Sequence, residues 1–90
     1  MNVTVKLTGP MVARTGTRDA RVAVPEEATV EDVVNRLGEQ YGQQVSAGIV
    51  DGFGLRSDTR VLRESGRDAE PLSAHSSVEA GDTVRVQVNA

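Results

Sequence analysis

The sequence contains no cysteine, which removes disulfides, thiolate zinc sites, iron–sulfur clusters and cysteine nucleophiles together. Aromatic residues are nearly absent: Tyr41 and Phe53 stand alone and there is no tryptophan. Base stacking, the sequence-tolerant part of single-strand nucleic-acid binding, has almost nothing to use. Excess positive charge is missing too. A formal net charge of −3 and a pI near 5.0 oppose the counterion release on which nucleic-acid affinity rests. No apolar run approaches the roughly 20 residues that a membrane-crossing helix needs. Residues 1–6 show no basic segment leading into an apolar stretch of the secretory kind. The expectation is a cytoplasmic chain with neither a nucleic-acid nor a membrane partner. Lysine occurs once, as Lys6, against nine arginines; with many Val and Thr and mild acidity, that ratio suits a GC-rich or salt-adapted organism.

What is present is ordinary globular chemistry. The 90 residues, 38% hydrophobic and 26% charged, are expected to form one domain over 1–90 and, at that size, a monomer. Val3, Val5 and Leu7 alternate with Thr4 and Lys6, the period of a half-buried strand. Gly9-Pro10 ends it, because Pro has no amide to give a ladder. Residues 11–19, with Gly16 among Thr and Arg, read as an irregular connection or long hairpin loop. Residues 21–24 alternate again up to Pro25, which suggests an antiparallel hairpin with the first run. The clearest segment follows. Thr29 is placed to accept from the amides of a first helical turn, and Asp32 three residues on makes an approximate capping box. Val30, Val33, Val34, Leu37 and Tyr41 then form one apolar stripe, and Gly42 is placed to leave in a left-handed conformation. The spacing predicts a helix over about 29–41 with one face on a sheet.

Beyond it the pattern fades. Residues 43–58 read as a long, partly packed loop with a helical turn near 44–48. Residues 59–64 form a short strand and 65–68 a turn with Gly66 at positive φ. Residues 69–72 make a brief edge strand interrupted by Pro71, and 83–88 a strand with three Val facing the core. The order is α+β: a small mixed sheet of four to five strands with one main helix. The Val-rich first and last runs are the best candidates for a buried parallel pair, which makes the arrangement a β-grasp.

Five stretches carry a resemblance over nearly the whole chain. Besides Val3–Leu7 at the start and Leu37–Gly42 at the end of the helix, they are Val24-Pro25-Glu26-Glu27-Ala28-Thr29-Val30-Glu31-Asp32-Val33-Val34 running into the helix, the strand and turn over 60–68, and Val78-Glu79-Ala80-Gly81-Asp82-Thr83-Val84 before the last strand. Through them the sequence resembles the MoaD/ThiS group of ubiquitin-like sulfur-carrier proteins, which includes small archaeal modifier proteins. These motifs determine fold and carry no chemistry. The resemblance implies a C-terminal Gly-Gly tail that an activating enzyme adenylates, followed by a thiocarboxylate or an isopeptide bond. Such a tail threads a narrow channel, which favours residues lacking a Cβ. This sequence ends Val86-Gln87-Val88-Asn89-Ala90 and contains no Gly-Gly. The last alternating position leaves two residues, about 7 Å of extended chain. The expectation is an atypical member that acts by non-covalent protein–protein contact and is not conjugated. Its implied partner is an activating-enzyme-like or sulfur-transfer protein. The alternative is a sulfur carrier or small modifier for molybdopterin, thiamine or tRNA thiolation, activated at Ala90.

The remaining features favour plain structural roles. His75 sits among Ser73, Ser76 and Ser77, but no Gly-x-Ser-x-Gly elbow accompanies it or Asp82, so it reads as an exposed loop residue. The glycines at 48, 52 and 54 fit neither phosphate-binding spacing. Glu26-Glu27 and Glu31-Asp32 suit a helix entrance, where negative charge meets the positive end of the dipole. No catalytic group, metal ligand or cofactor is expected. Ile49, Val50, Phe53 and Leu55 either close the core beneath the helix or form an apolar contact loop. A partner-binding face is expected on the outward strand positions Thr4, Lys6, Thr83, Arg85 and Gln87, polar and with two cations. Val dominates the core and buries less area per residue than Leu or Phe, while 13 acidic residues face 10 basic ones. The melting temperature should therefore rise with salt as carboxylate repulsion is screened; thermal melts over increasing sodium chloride check this, and a flat profile contradicts it.

Overall fold

Alternating burial fixes which side of each strand meets the core. The computed structural model describes residues 1–51 and 54–88. Strand β1 (Asn2–Leu7) buries Val3, Val5 and Leu7; β2 (Asp19–Ala23) buries Ala20 and Val22. Near the other end, β5 (Thr59–Ser65) buries Thr59 and Val61, β6 (Asp68–Leu72) buries only Leu72, and β7 (Thr83–Val88) buries Val84 and Val86. These five strands form one sheet in the order β2-β1-β7-β5-β6. β1 and β7 pair in parallel, Thr4 beside Thr83, Val5 beside Val84, Lys6 beside Arg85 and Leu7 beside Val86. All other neighbours in this sheet are antiparallel. The expected hairpin, the parallel pair of Val-rich runs and the edge position of the Pro71 strand are all present.

Helix α2 (Val30–Tyr41) starts as its sequence dictates. Asp32 Oδ2 accepts the Thr29 amide at 2.9 Å, and Thr29 Oγ1 accepts the Asp32 amide at 3.4 Å, a complete capping box. The two amides between them go elsewhere: Val30 N donates to Ser76 O and Glu31 N to Ala74 O, both at 2.9 Å. The serine-rich loop around His75 thus serves as the second half of the helix cap. Val30, Val33, Val34 and Leu37 lie buried against the sheet, and Tyr41 closes the stripe half-buried.

Three expectations need correction. Residues 11–19 are not an irregular loop, because α1 (Pro10–Thr15) lies there. Pro10 occupies the first turn, where its missing amide costs nothing. Met11 is buried, and Gly16 (φ 76°, ψ 10°) ends the helix by donating to Val12 O. The helical turn expected near 44–48 is present as α3 (Gln43–Ala47), but the rest of the long loop over 43–58 holds an unexpected pairing of β3 (Val50–Asp51) with β4 (Gly54–Leu55). Gly42 does take positive φ (110°), but its ψ of 152° is extended rather than left-handed helical. The chain turns straight from α2 into α3 there. The single main helix is therefore joined by two short ones on the same core.

α2 and α3 approach closely where Gly38 meets Ser46. A Cβ on Gly38 would lie 2.7 Å from Ser46 Oγ and 2.8 Å from Ser46 Cβ. Alanine is ordinarily better than glycine in a helix by about 1 kcal/mol, yet overpacking of this kind costs about 1–3 kcal/mol. Gly38→Ala should therefore lower stability by about 1 kcal/mol in urea unfolding, with part recovered by adding Ser46→Gly; a stabilised Gly38→Ala would refute the close approach.

Candidate docking face

The strand residues that avoid the core share the opposite side of the sheet. By register, Asp19 and Arg21 on β2, Thr4 and Lys6 on β1, Thr83, Arg85 and Gln87 on β7, Arg60, Leu62 and Glu64 on β5, and Pro71 on β6 lie on this one surface. The helical residues of the core, Met11, Val30, Val33, Val34, Leu37 and Val45, cluster with the inward strand residues. Among the described residues no helix covers the outward side. The five predicted face residues, Thr4, Lys6, Thr83, Arg85 and Gln87, are all half-buried there on the two central strands.

The five predicted residues include two cations and no acid, and the register adds an acid beside them. Glu64 comes from β5, opposite Thr83, and sits between the two cations that parallel pairing places side by side. Its Oε2 accepts from Arg85 Nη2 at 3.0 Å, and its Oε1 lies 3.6 Å from Lys6 Nζ. That second contact is an ion pair longer than a hydrogen bond, so Glu64 Oε1 has no hydrogen-bond partner, nor has Arg85 Nε. Partly exposed pairs of this kind contribute at most about 1 kcal/mol; their effect is to tie two cationic side chains to one carboxylate. Counting the whole face, Lys6, Arg21, Arg60 and Arg85 stand against Asp19 and Glu64. Leu62 and Pro71, directly opposite one another on β5 and β6, add a small apolar spot. Neither was expected from sequence, because strand pairing alone brings them onto one surface.

The other predicted residues take varied positions. Ile49 is fully buried, and Val50 and Leu55, opposite one another in β3 and β4, pack half-buried against the core. Phe53 and Ala90 lie outside the described residues. His75 is exposed and its amide donates to Ser73 Oγ at 3.3 Å. Asp82, once a conceivable partner for it, is engaged elsewhere: Oδ2 accepts from Arg63 Nε at 3.0 Å and from the Glu79 amide at 2.8 Å. Arg63 also donates to Ser77 O. The Gly-Asp before the last strand is thus a clasp that ties the turn into β7 to β5. Among the described residues no group of three or more His, Asp and Glu is placed to hold a metal. At the far end of β7, Val88 opens on a groove of about 520 Å³ between α1 and α3, with Arg14 Nη1 donating to Gln44 O at 3.3 Å along its wall.

With this geometry in place, comparison with known proteins is informative about fold. No protein-family model matches the sequence, and no curated protein does. Among solved structures, SAMP1 from Haloferax volcanii superposes with a TM-score of 0.83 at 24% identity, covering 100% of this chain and 97% of that one. A protein from Pyrococcus furiosus assigned as molybdopterin converting factor, subunit 1, superposes with a TM-score of 0.77 at 18% identity, covering 99% and 98%. A chain of the Amycolatopsis orientalis BexX/CysO complex gives 0.77 at 18% identity, covering 98% and 96%. The chain thus has the ubiquitin-like β-grasp fold, and its structural neighbours are small archaeal modifier and MoaD-like proteins.

Proposed function

We propose that this chain is a ubiquitin-like docking protein, bound non-covalently through the open face of its sheet by a partner of the activating-enzyme or sulfur-transfer class. The observation that carries the reading is the asymmetry of that sheet. Among the described residues, one side is sealed by three helices, and the other presents four cations, two acids and the Leu62–Pro71 spot with no helix over them. A charged surface with a small apolar spot toward one edge has the composition of a transient interface rather than an obligate one. The positive excess fits a partner surface that presents carboxylates, which would steer encounter and set register. Fold likeness to SAMP1 and to a chain of a two-protein complex supports a protein partner.

A second reading, covalent carriage of sulfur or attachment as a modifier, draws support from the likeness to a protein described as a small archaeal modifier. Both readings are tested with the purified activating enzyme of the same organism, by calorimetric titration and by intact mass after incubation with ATP. The docking reading expects binding without a mass change. Arg85→Glu should weaken it about tenfold, while Glu64→Gln, which releases Lys6 and Arg85 from their acid, should tighten it about threefold. A covalent adduct or a thiocarboxylate would move the assignment to the second reading. Absence of binding, or binding indifferent to Arg85, would remove the open face from both.

A further inference from the structure

The two edges of the sheet are built differently. At β6, the two-residue turn makes Ser65 and Asp68 a hydrogen-bonded closing pair. Alternation then makes Arg63–Glu70 and Val61–Leu72 hydrogen-bonded as well, and directs the backbone of Ala69 and Pro71 outward. Pro71 has no N–H to offer there, so this edge is interrupted as a template for another strand. At β2 the inward-bonded residues are those flanking the strand's odd positions. Leu7 N donates to Arg18 O at 2.7 Å and Val24 N to Met1 O at 2.8 Å, which fixes the alternation along Val22 and Ala20. The amides and carbonyls of Asp19, Arg21 and Ala23 therefore point out of the sheet. β2 contains no proline, and its outward backbone groups have one partner among the described residues, Thr17 Oγ1 on Asp19 O at 2.8 Å. The carboxylate of Asp19 and the guanidinium of Arg21, both on exposed residues, form no ion pair among the described residues.

We infer that β2 pairs antiparallel with β2 of a second copy, joining the two five-stranded sheets across a two-fold axis. Charge selects the register. With the axis at Arg21, that residue faces itself and like charges repel. With Arg21 opposite Ala23, neither charge gains a partner. With the axis at Ala20, Asp19 of each copy faces Arg21 of the other, giving two ion pairs and four backbone hydrogen bonds. Asp19 O can take the new amide and keep Thr17, since a carbonyl oxygen accepts twice. An isologous pairing uses each β2 once and closes; Pro71 at the other edge stops the paired sheet from growing into a filament. The contact is small, so the association is weak and reversible. It departs from the monomer expected from chain length; it engages Asp19 and Arg21 at the margin of the open face and leaves Thr83, Arg85 and Gln87 uncovered.

The test is self-association of the purified protein, followed by sedimentation velocity and by amide spectra of ¹⁵N-labelled protein from about 0.05 to 1 mM. The sedimentation coefficient should rise with concentration, with shifts at the amides of Asp19 and Arg21. Asp19→Arg and Arg21→Asp should each weaken the association about tenfold. The double variant, which restores opposite charges across the axis, should return to within about threefold of the parent. Both sites are exposed, and far-UV spectra check that each variant is folded. A protein that stays monomeric at 1 mM, a double variant no better than the singles, or shifts confined to Lys6, Arg85 and Gln87 would overturn the inference. The docking reading is tested separately by Arg85→Glu, which lies two strands away from the β2 contact.

Discussion

The parallel ladder between β1 and β7 places Val5 beside Val84 and Leu7 beside Val86 in the middle of the sheet, joining two segments remote in sequence. Parallel neighbours cannot be linked by a tight turn, so the chain between them must cross over the sheet. That crossover carries α2, whose stripe of Val30, Val33, Val34 and Leu37 covers the inward valines. Further bonds hold the ladder at both ends: Thr4 N donates to Asp82 O at 2.9 Å and Thr8 Oγ1 to Val86 O at 3.1 Å. The Arg63–Asp82 clasp fixes the turn from which β7 departs. Were the ladder lost, helix and sheet would have no common core.

The same constraint produces the surface on which function is proposed. Because the helical residues of the core sit on one side, every outward strand position falls on the other, where short-range alternation had already put polar residues. Parallel register then sets Lys6 next to Arg85, a repulsive arrangement that Glu64 relieves from the neighbouring strand. The acid that neutralises the two cations is also a competitor for any carboxylate that approaches them.

Much of this architecture was legible residue by residue. Val3-Thr4-Val5-Lys6-Leu7 and Thr83-Val84-Arg85-Val86-Gln87-Val88 declare their burial by period two, and Thr29 with Asp32 declares the start of α2 by a capping box that the structure contains atom for atom. The helix α1 was missed although Pro10 and Gly16 bracket it correctly, since six residues span fewer than two turns and show no periodicity. The β3–β4 pair was missed for the same reason, with two residues in each strand. The loop around His75 looked like a plain connection; its carbonyls turn out to hold two amides of α2.

Glu64, Leu62 and Pro71 belong to the candidate face only through strand register, and register is a relation between distant segments that no local pattern encodes. The sequence by itself determined which residues turn inward, where the main helix begins, and that no thiolate chemistry is available, because alternation, capping and composition act within a few residues. Tertiary structure alone decided which charges meet on the open side, that Asp82 serves Arg63, and which sheet edge keeps its amides free. Those outcomes depend on how strands far apart in the chain align, and that alignment is settled by packing the whole core at once.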